Sequence, residues 1–405
     1  MGEETDLRMI PSIVGGDQKK RHGIVLAKSV PAKKYGITTG EPIIDALKKC
    51  PSLEIIPPDY GLYVRASRAF INLLKQYTDQ VIQYSIDEAW AVFDGFDEYI
   101  YGRGQMVAFA HSLKDRIREE LGFTVNIGVS TNFLLSKMAG DFSKPDKVHT
   151  LFPDEIPQKM WPLPVSDLFF VGRMTAAKLN GLGIHTIGEL AAADGEMISA
   201  HLKKAGRIVH GYAQGHDLEP YVFTHEANKG YGNSLTAPVD VVTEAYARHL
   251  LLSLCETVGM RLREDGVKIS VVSVHLTTYQ FEYEGKQMQL MSPTDVTEEI
   301  YDAACKIFSR LWDGLTPLRQ IGVHTSKVQE EASRQYNLFD MHKYDRLEKL
   351  DRTVDSIRAR YGEDSIFRAC FLGSNVTHMG GGLDKDRRSG VTVGIDLEKE
   401  KLGRH

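Results

Sequence analysis

The 405-residue chain has only four cysteines, Cys50, Cys255, Cys305 and Cys370, far apart and with no CxxC among them. That scarcity excludes a disulfide framework or a cysteine zinc site, so reduced core or surface thiols are expected. No apolar run approaches the roughly 18 residues that span a bilayer. The opening stretch, MGEETDLRMIPSIVGGDQKK, lacks the basic-then-apolar order of a signal peptide. A cytoplasmic protein with no membrane partner is the expectation. An excess of positive charge is missing too: the net charge is −5 at pH 7, so any polyanion must be held locally rather than by whole-molecule attraction. What is present is 42% hydrophobic content, enough for a substantial core, in a length that suggests two to four compact units.

Residues 1 to 60 mix Gly and Pro punctuation with one short amphipathic helix near Pro42 to Cys50, which predicts a small irregular lobe. From Gly61, the spacing of Leu62, Ala66, Ala69, Phe70, Leu73, Leu74 and Tyr77 predicts a helix with one inward face. Met106, Phe109, Ala110, Leu113, Ile117 and Leu121 mark a second helix, stopped at Gly122. A strand, FTVNIGVS, and a helix from Asn132 to about Phe142 follow, ended by the proline of SKP. This order predicts a split βαβ sheet covered by helices on one side. Residues 161 to 218 read as small helical hairpins. A polar connector, THEANKG, leads to a second α+β unit running to about Val328, with VKISVVSVHLTTY as its clearest strand. The charged remainder from Gln329 reads as a partly disordered tail, with a helix at His342 to Tyr361.

Within QVIQYSIDEAWAVF, Asp87 and Glu88 stand side by side between apolar, strand-like runs. Neighbouring side chains of a straight strand point to opposite faces, so two adjacent carboxylates share a target only where the chain turns. In isolation such a pair is a solvated turn. Tyr84 and Ile86 before it, and Ala89 to Phe93 after it, place this one at the rim of a buried sheet. Carboxylates held there by rigid strands suit hard divalent cations such as magnesium, which take oxygen ligands and substrate phosphates.

The stretches YSIDEAW, NIGVSTNFLLSKMAGDFSKP and LPVSDLFFVGRMTAAKLNGLGIHTIGEL together resemble the Y-family translesion DNA polymerases. The resemblance runs in order from PSIVGGD through KGYGNSLTAPVDV and PLRQIGVHTS, over about the first 330 residues. It implies an α+β, multi-domain right-hand polymerase: fingers at 1–60, a ferredoxin-like palm at 61–152, a helix-hairpin-helix thumb at 153–218, a linker at 219–229, a little finger at 230–328 and a tail at 329–405. It implies DNA synthesis past damaged bases by two-metal phosphoryl transfer, with magnesium as cofactor and primer-template DNA and deoxynucleoside triphosphates as partners. A monomer is expected.

By that resemblance Asp87 is a metal-binding aspartate and Glu88 the neighbouring catalytic carboxylate. Lys144, in DFSKPD, is similar to the lysine that reaches the incoming triphosphate, and Lys33, in VPAKKYG, occupies the place of a basic finger residue with the same role. Val30 stands where the family often has tyrosine, and Phe133 where a lysine is common. Gly172 and Gly183 sit at the turns of two hairpins whose backbone N–H groups approach DNA phosphate. The family opens with a strand bearing a further metal-binding aspartate and a steric gate; the residues before PSIVGGD do not resemble it, and Asp6 lies in a polar lead. Slow extension by the chain as written is therefore expected, and a DNA-binding repair accessory without chemistry is the alternative. A third reading, an unrelated helix-hairpin-helix nuclease, needs a carboxylate and His or Lys cluster that residues 161 to 218 do not offer. Past the resemblance, RQYNLFD places Gln335, Leu338 and Phe339 at the spacing of a bacterial sliding-clamp peptide.

Overall fold

The computed structural model describes residues 6–16, 23–93, 98–219, 228–330 and 341–381. They fall into two compact units, one made of 6–59 with 228–381 and the other of 60–219.

The first 59 residues build a sheet from β1 (Ser12–Gly15), β2 (Val25–Lys28) and β3 (Glu54–Ile56), with β1 central, antiparallel to β2 and parallel to β3. Helices α1 (Val30–Lys34) and α2 (Ile43–Lys49) close it around Ile13, Val25, Ala32, Ile37, Ile43 and Ala46. The expected irregular lobe is thus a small sheet with its own core. Its strands are three or four residues long, too short for alternation to register in the sequence.

In the second unit α3 (Tyr60–Leu74) and α4 (Glu98–Leu121, broken at Gly102) bury Leu73, Leu74, Leu113 and Ile117 against one another. Gly122, at φ 76°, ends α4 in the left-handed region that a glycine takes without strain. Helix α3 buries Val64, Ser67, Ile71, Leu73 and Leu74, with Phe70 and Tyr77 packed on the same core, so the expected inward face holds from Phe70 onward, while Leu62 in the first turn is half exposed. The expected split sheet is two separate ladders, β4 (Val81–Gln83) antiparallel to β5 (Ala89–Ala91), and β6 (Ile127–Val129) parallel to β7 (Val148–Thr150). Val81, Ala89 and Ile127 from both ladders pack on the α3–α4 core. The opposite side chains of the β4–β5 ladder, Ile82 and Trp90, join a second cluster with α5 (Phe133–Asp141), so that ladder is covered on both faces, not one. The same cluster takes in the helical hairpins α6 (Ile156–Lys159), α7 (Arg173–Gly181), α8 (Ile187–Ala192) and α9 (Gly195–Ala213).

The rest of the first unit runs β8 (Gly230–Val241), α10 (Glu244–Glu264), β9 (Lys268–Thr278), β10 (Tyr283–Thr294), α11 (Thr297–Leu311) and β11 (Leu318–Gln329). The antiparallel sheet has the order β10-β9-β11-β8. One face carries Val272, Val274, Leu276, Ile321 and Val323 into a core with α10 and α11. The other face is open.

The tail reading fails for 341–381. Helix α12 (Met341–Tyr361) and two short turns pack on α10 and α11, with Tyr344, Asp351 and Arg358 buried. Arg263 of α10 grips Asp355 at 2.6 Å and Asp351 at 3.2 Å, and Glu256 accepts from Arg358 and Arg368 at 2.9 and 2.6 Å. Buried ion pairs of this kind have the sequence signature of a solvated charged helix, which is why composition misreads them.

Candidate functional site

Gln83 pairs with Ala89, which leaves 84–88 as the hairpin turn. The N–H groups of Tyr84 and Ser85 both donate to the Glu88 carbonyl, at 2.9 and 3.1 Å, and so close it. The Ser85 hydroxyl donates to Asp87 Oδ1 at 2.7 Å. Asp87 is exposed and Glu88 half-buried. The base of the turn is rigid, because Tyr84 packs edge-on against Trp90 and Phe169, with ring centroids 5.2 and 5.9 Å away.

Helix α5 brings the cationic half of the site. Its N-terminus is satisfied twice: the Asn132 side chain accepts from Leu135 N at 2.8 Å, and Asp217 Oδ1 accepts from Phe133 N and Leu134 N at 2.9 and 3.2 Å. Phe133, where a lysine is common in the resembling family, packs its ring on Trp90 at 5.7 Å, and its carbonyl accepts from Trp90 Nε1 at 3.1 Å. That position is spent on the core. One turn on, Lys137 bridges Glu88 Oε1 at 2.7 Å and Asp141 Oδ2 at 2.8 Å. Asp141 Oδ1 in turn meets Lys144 Nζ at 2.8 Å. Burial works against the Lys137 charge, but the hydrogen bonds to Asp141 and Glu88 outweigh it and its pKa is raised. Burial likewise pushes the Asp141 carboxyl up, and Lys137 and Lys144 more than offset it, so the group lies below its ordinary range. Glu88 and Lys144 thus belong to one network, joined through Lys137 and Asp141, while Asp87 beside them is held by Ser85. Sequence reading missed those two, although their i,i+4 spacing on an amphipathic helix was the available signal.

Lys33 lies in the other compact unit, exposed in the last turn of α1, which starts from Ser29, whose hydroxyl accepts from Ala32 N at 3.1 Å. Gly172 is the N-cap of α7 at φ −78°, and the first turn of that helix carries no side-chain cap. Gly183 follows the end of α7 at φ 79°, where any other residue would be strained. It leads into α8, whose N-terminus is closed by a reciprocal Thr186–Glu189 box. Gln335, Leu338 and Phe339 lie outside the described residues.

Among the described residues no group of three His, Cys, Asp or Glu side chains stands together to hold a metal ion. Asp87 and Glu88 offer two carboxylates at a solvent-accessible turn. That donor set fits a hard divalent cation that keeps its waters and shares phosphate oxygens, rather than a closed all-protein cage.

Residues 1–141 match the impB/mucB/samB family, residues 153–184 the IMS family HHH motif, and residues 228–338 the C-terminal domain of the impB/mucB/samB family. The chain belongs to this family, the Y-family, DinB-like DNA polymerases. It is 43% identical to the DNA polymerase IV of Clostridium acetobutylicum, over 92% of each chain. The identity is 36% with DNA polymerase IV of Acetivibrio thermocellus, over 91% of this chain and 92% of that one. Among solved structures, a Y-family DNA polymerase chimera of Dbh and Dpo4 has the same fold, with a TM-score of 0.65 and 22% identity over 80% of this chain and 93% of that one. No described helix is long and apolar enough to cross a membrane.

Proposed function

We propose that the chain copies DNA past damaged bases, adding deoxynucleotides to a primer under the direction of a template. The observation that carries this reading is the Asp87–Glu88 pair on a rigid turn, with Glu88 tied through Lys137 and Asp141 to Lys144. Asp87 and Glu88 hold the divalent ion, which we take to be magnesium, one of two in the complete site. When bound, such an ion supplies charge neutralisation on the triphosphate and activation of the primer 3′ hydroxyl. Lys137 keeps Glu88 oriented between rounds of binding. Lys144, whose amine Asp141 holds at 2.8 Å, meets the negative charge of the incoming triphosphate, and Lys33 serves the same end from the fingers.

Residues 1–60 act as fingers, 61–152 as palm, 153–218 as thumb and 230–328 as little finger. The uncapped first turn of α7 at Gly172 and the turn at Gly183 approach the DNA backbone through N–H groups, which read no sequence. The open face of the four-stranded sheet lies along the same backbone. Gln335, Leu338 and Phe339 dock on a sliding clamp, the glutamine amide and two apolar anchors entering a groove. The enzyme works as a monomer in the cytoplasm. Neither the fold nor the relatives favour the accessory without chemistry.

The test is primer extension by Asp87→Ala and Glu88→Ala, each checked for an unchanged thermal melt. Both should lose extension while staying folded; extension at the normal rate by both removes the assignment.

A further inference from the structure

The open face of the β10-β9-β11-β8 sheet is unusual in what it carries. In the antiparallel register, one row across it reads Thr277, Gln320 and Thr236, the next His275, Gly322 and Ser234, and the next Ser273, His324 and Gly232. Gln320 joins the strands, its amide donating to Ser234 at 3.1 Å while its oxygen accepts from Thr277 at 3.3 Å. Glu284 and Lys286 of β10 alternate to the helix-side face, the latter donating to the Arg310 carbonyl at 3.1 Å. Among the described residues of these ladders, no carboxylate falls between Gly230 and Thr236, Val271 and Thr277, or Gln320 and Ser326. Glu282 lies in the turn beyond the β9–β10 ladder.

Two imidazoles lie on this neutral face. A Cβ at Gly322 would stand 1.9 Å from His275 Nε2, and one at Gly232 would stand 2.4 Å from His324 Cδ2. Each ring therefore lies flat across the neighbouring strand, in a space that only glycine leaves. His275 is half-buried and has the Tyr283 ring 5.7 Å away; His324 is exposed. The titratable and charged groups facing the pair are each other, the Tyr283 phenol, and Lys327, whose amine donates to Gln289 at 3.2 Å. Burial, and then the neighbouring His324, push the His275 pKa down.

We propose that His275 and His324 are a phosphate-contacting pair, which makes the hold of this sheet on DNA depend on pH. The proposal rests on the reading of this sheet as a DNA-binding face. Neutral hydroxyls and amides contact phosphate without charge, and the glycines let the two rings lie against the sheet. The two rings add positive charge only when protonated. A bound phosphate favours the imidazolium form, so each ring titrates higher in the complex than in the free chain. The linkage then has one sign: the added affinity is fully present below the free-state pKa and is lost as pH rises through the bound-state value.

The experiment is fluorescence anisotropy of the full chain with a primer-template duplex between pH 5.5 and 8.5, for wild type and His275→Gln/His324→Gln. A parallel NMR titration follows the two imidazoles. For a one-unit shift at one ring, wild-type affinity should rise about tenfold as pH falls across the window. The slope of log affinity against log salt should steepen by about 0.9 per protonated ring. The double variant should bind with a flat pH profile and an unchanged melt, and both wild-type imidazoles should titrate higher with DNA present. An identical pH profile in the double variant, or rings that do not shift, overturns the pair while leaving the DNA-binding face standing. No DNA binding by wild type at any pH overturns both.

Discussion

Arg358→Ala tests how the segment beyond the family's C-terminal domain is held. Glu256, 4% exposed, gives one oxygen to Arg358 at 2.9 Å and the other to Arg368 at 2.6 Å, and Arg358 also donates to the Ile366 carbonyl at 3.1 Å. Removing one partner of a buried ion pair costs about 3–5 kcal/mol, because the other charge stays behind uncompensated. Here Arg368 still covers one Glu256 oxygen, so the loss is about 2–3 kcal/mol, and opening of α12 becomes about 30- to 150-fold more frequent. Hydrogen exchange resolved to residues 344–361 is the assay, since it reads local opening without requiring the two units to unfold together. Glu256→Met/Arg358→Met removes the buried pair and leaves Arg368, whose side chain is 35% exposed, to turn to solvent, so most of the protection should return. Exchange in Arg358→Ala equal to wild type would refute the buried-charge argument. The pH dependence has a definite sign. Burial pushes the Glu256 carboxyl up, but Arg368 and Arg358 hold it below its ordinary value of 4.5. Its stabilisation is therefore present above that value and is lost as pH falls through the folded-state pKa. Burial raises Asp351 on α12, so the Glu256 contribution is read as the difference between wild type and the double variant.

Two further outcomes are expected. Lys137→Met frees Glu88 Oε1 of a 2.7 Å ion pair in which the carboxylate side chain is 36% exposed. A screened pair of this sort is worth about 0.5–1 kcal/mol, so the magnesium concentration for half-maximal extension should fall about two- to fivefold; an unchanged magnesium titration would show that the lysine does not compete with the ion. Leu338→Ala/Phe339→Ala should remove binding to a purified sliding clamp and leave unassisted extension intact, and a peptide spanning Gln335 to Phe339 that fails to bind the clamp would withdraw that partner.

Much of this was legible before any coordinates, where one physical signal dominated. Helix α2 and helix α5 follow from apolar periodicity and their stops, and the Asp87–Glu88 turn from the apolar runs on both sides of it. Legibility failed where a signal was short or inverted. Strands β1 to β3 are too brief to alternate, so their sheet read as irregular. In α3 the period reported Phe70, Leu73 and Leu74 correctly but placed Leu62 inward, where the first turn buries Val64 instead. Helix α12 inverted the signal: Asp351, Asp355 and Arg358 read as solvated charge, yet each forms an ion pair with α10. Of the candidate site, Asp87 and Glu88 were read from residue type and position, and Lys144 from the family resemblance. Lys137 and Asp141 were missed, because their importance comes from bridging, which requires the turn and α5 to be seen together.

The net charge of −5 and the proposed hold on DNA fit together once the contacts are sorted by type. A face rich in arginine binds by releasing counterions, with a salt slope near 0.9 for each phosphate neutralised, and it releases DNA slowly. The open sheet face instead carries hydroxyls, amides and two imidazoles, and the first turn of α7 adds backbone N–H groups. Such contacts fix the position of a backbone without supplying much long-range attraction. Under the proposed function, a weak intrinsic grip would let the chain leave after a few additions. On this reading a clamp peptide supplies what the charge does not: tethering converts rebinding into an intramolecular step at millimolar effective concentration, about enough to offset a weak contact surface. Under the same proposal, residence at the primer end would be set by the peptide, and alignment of the template by the sheet.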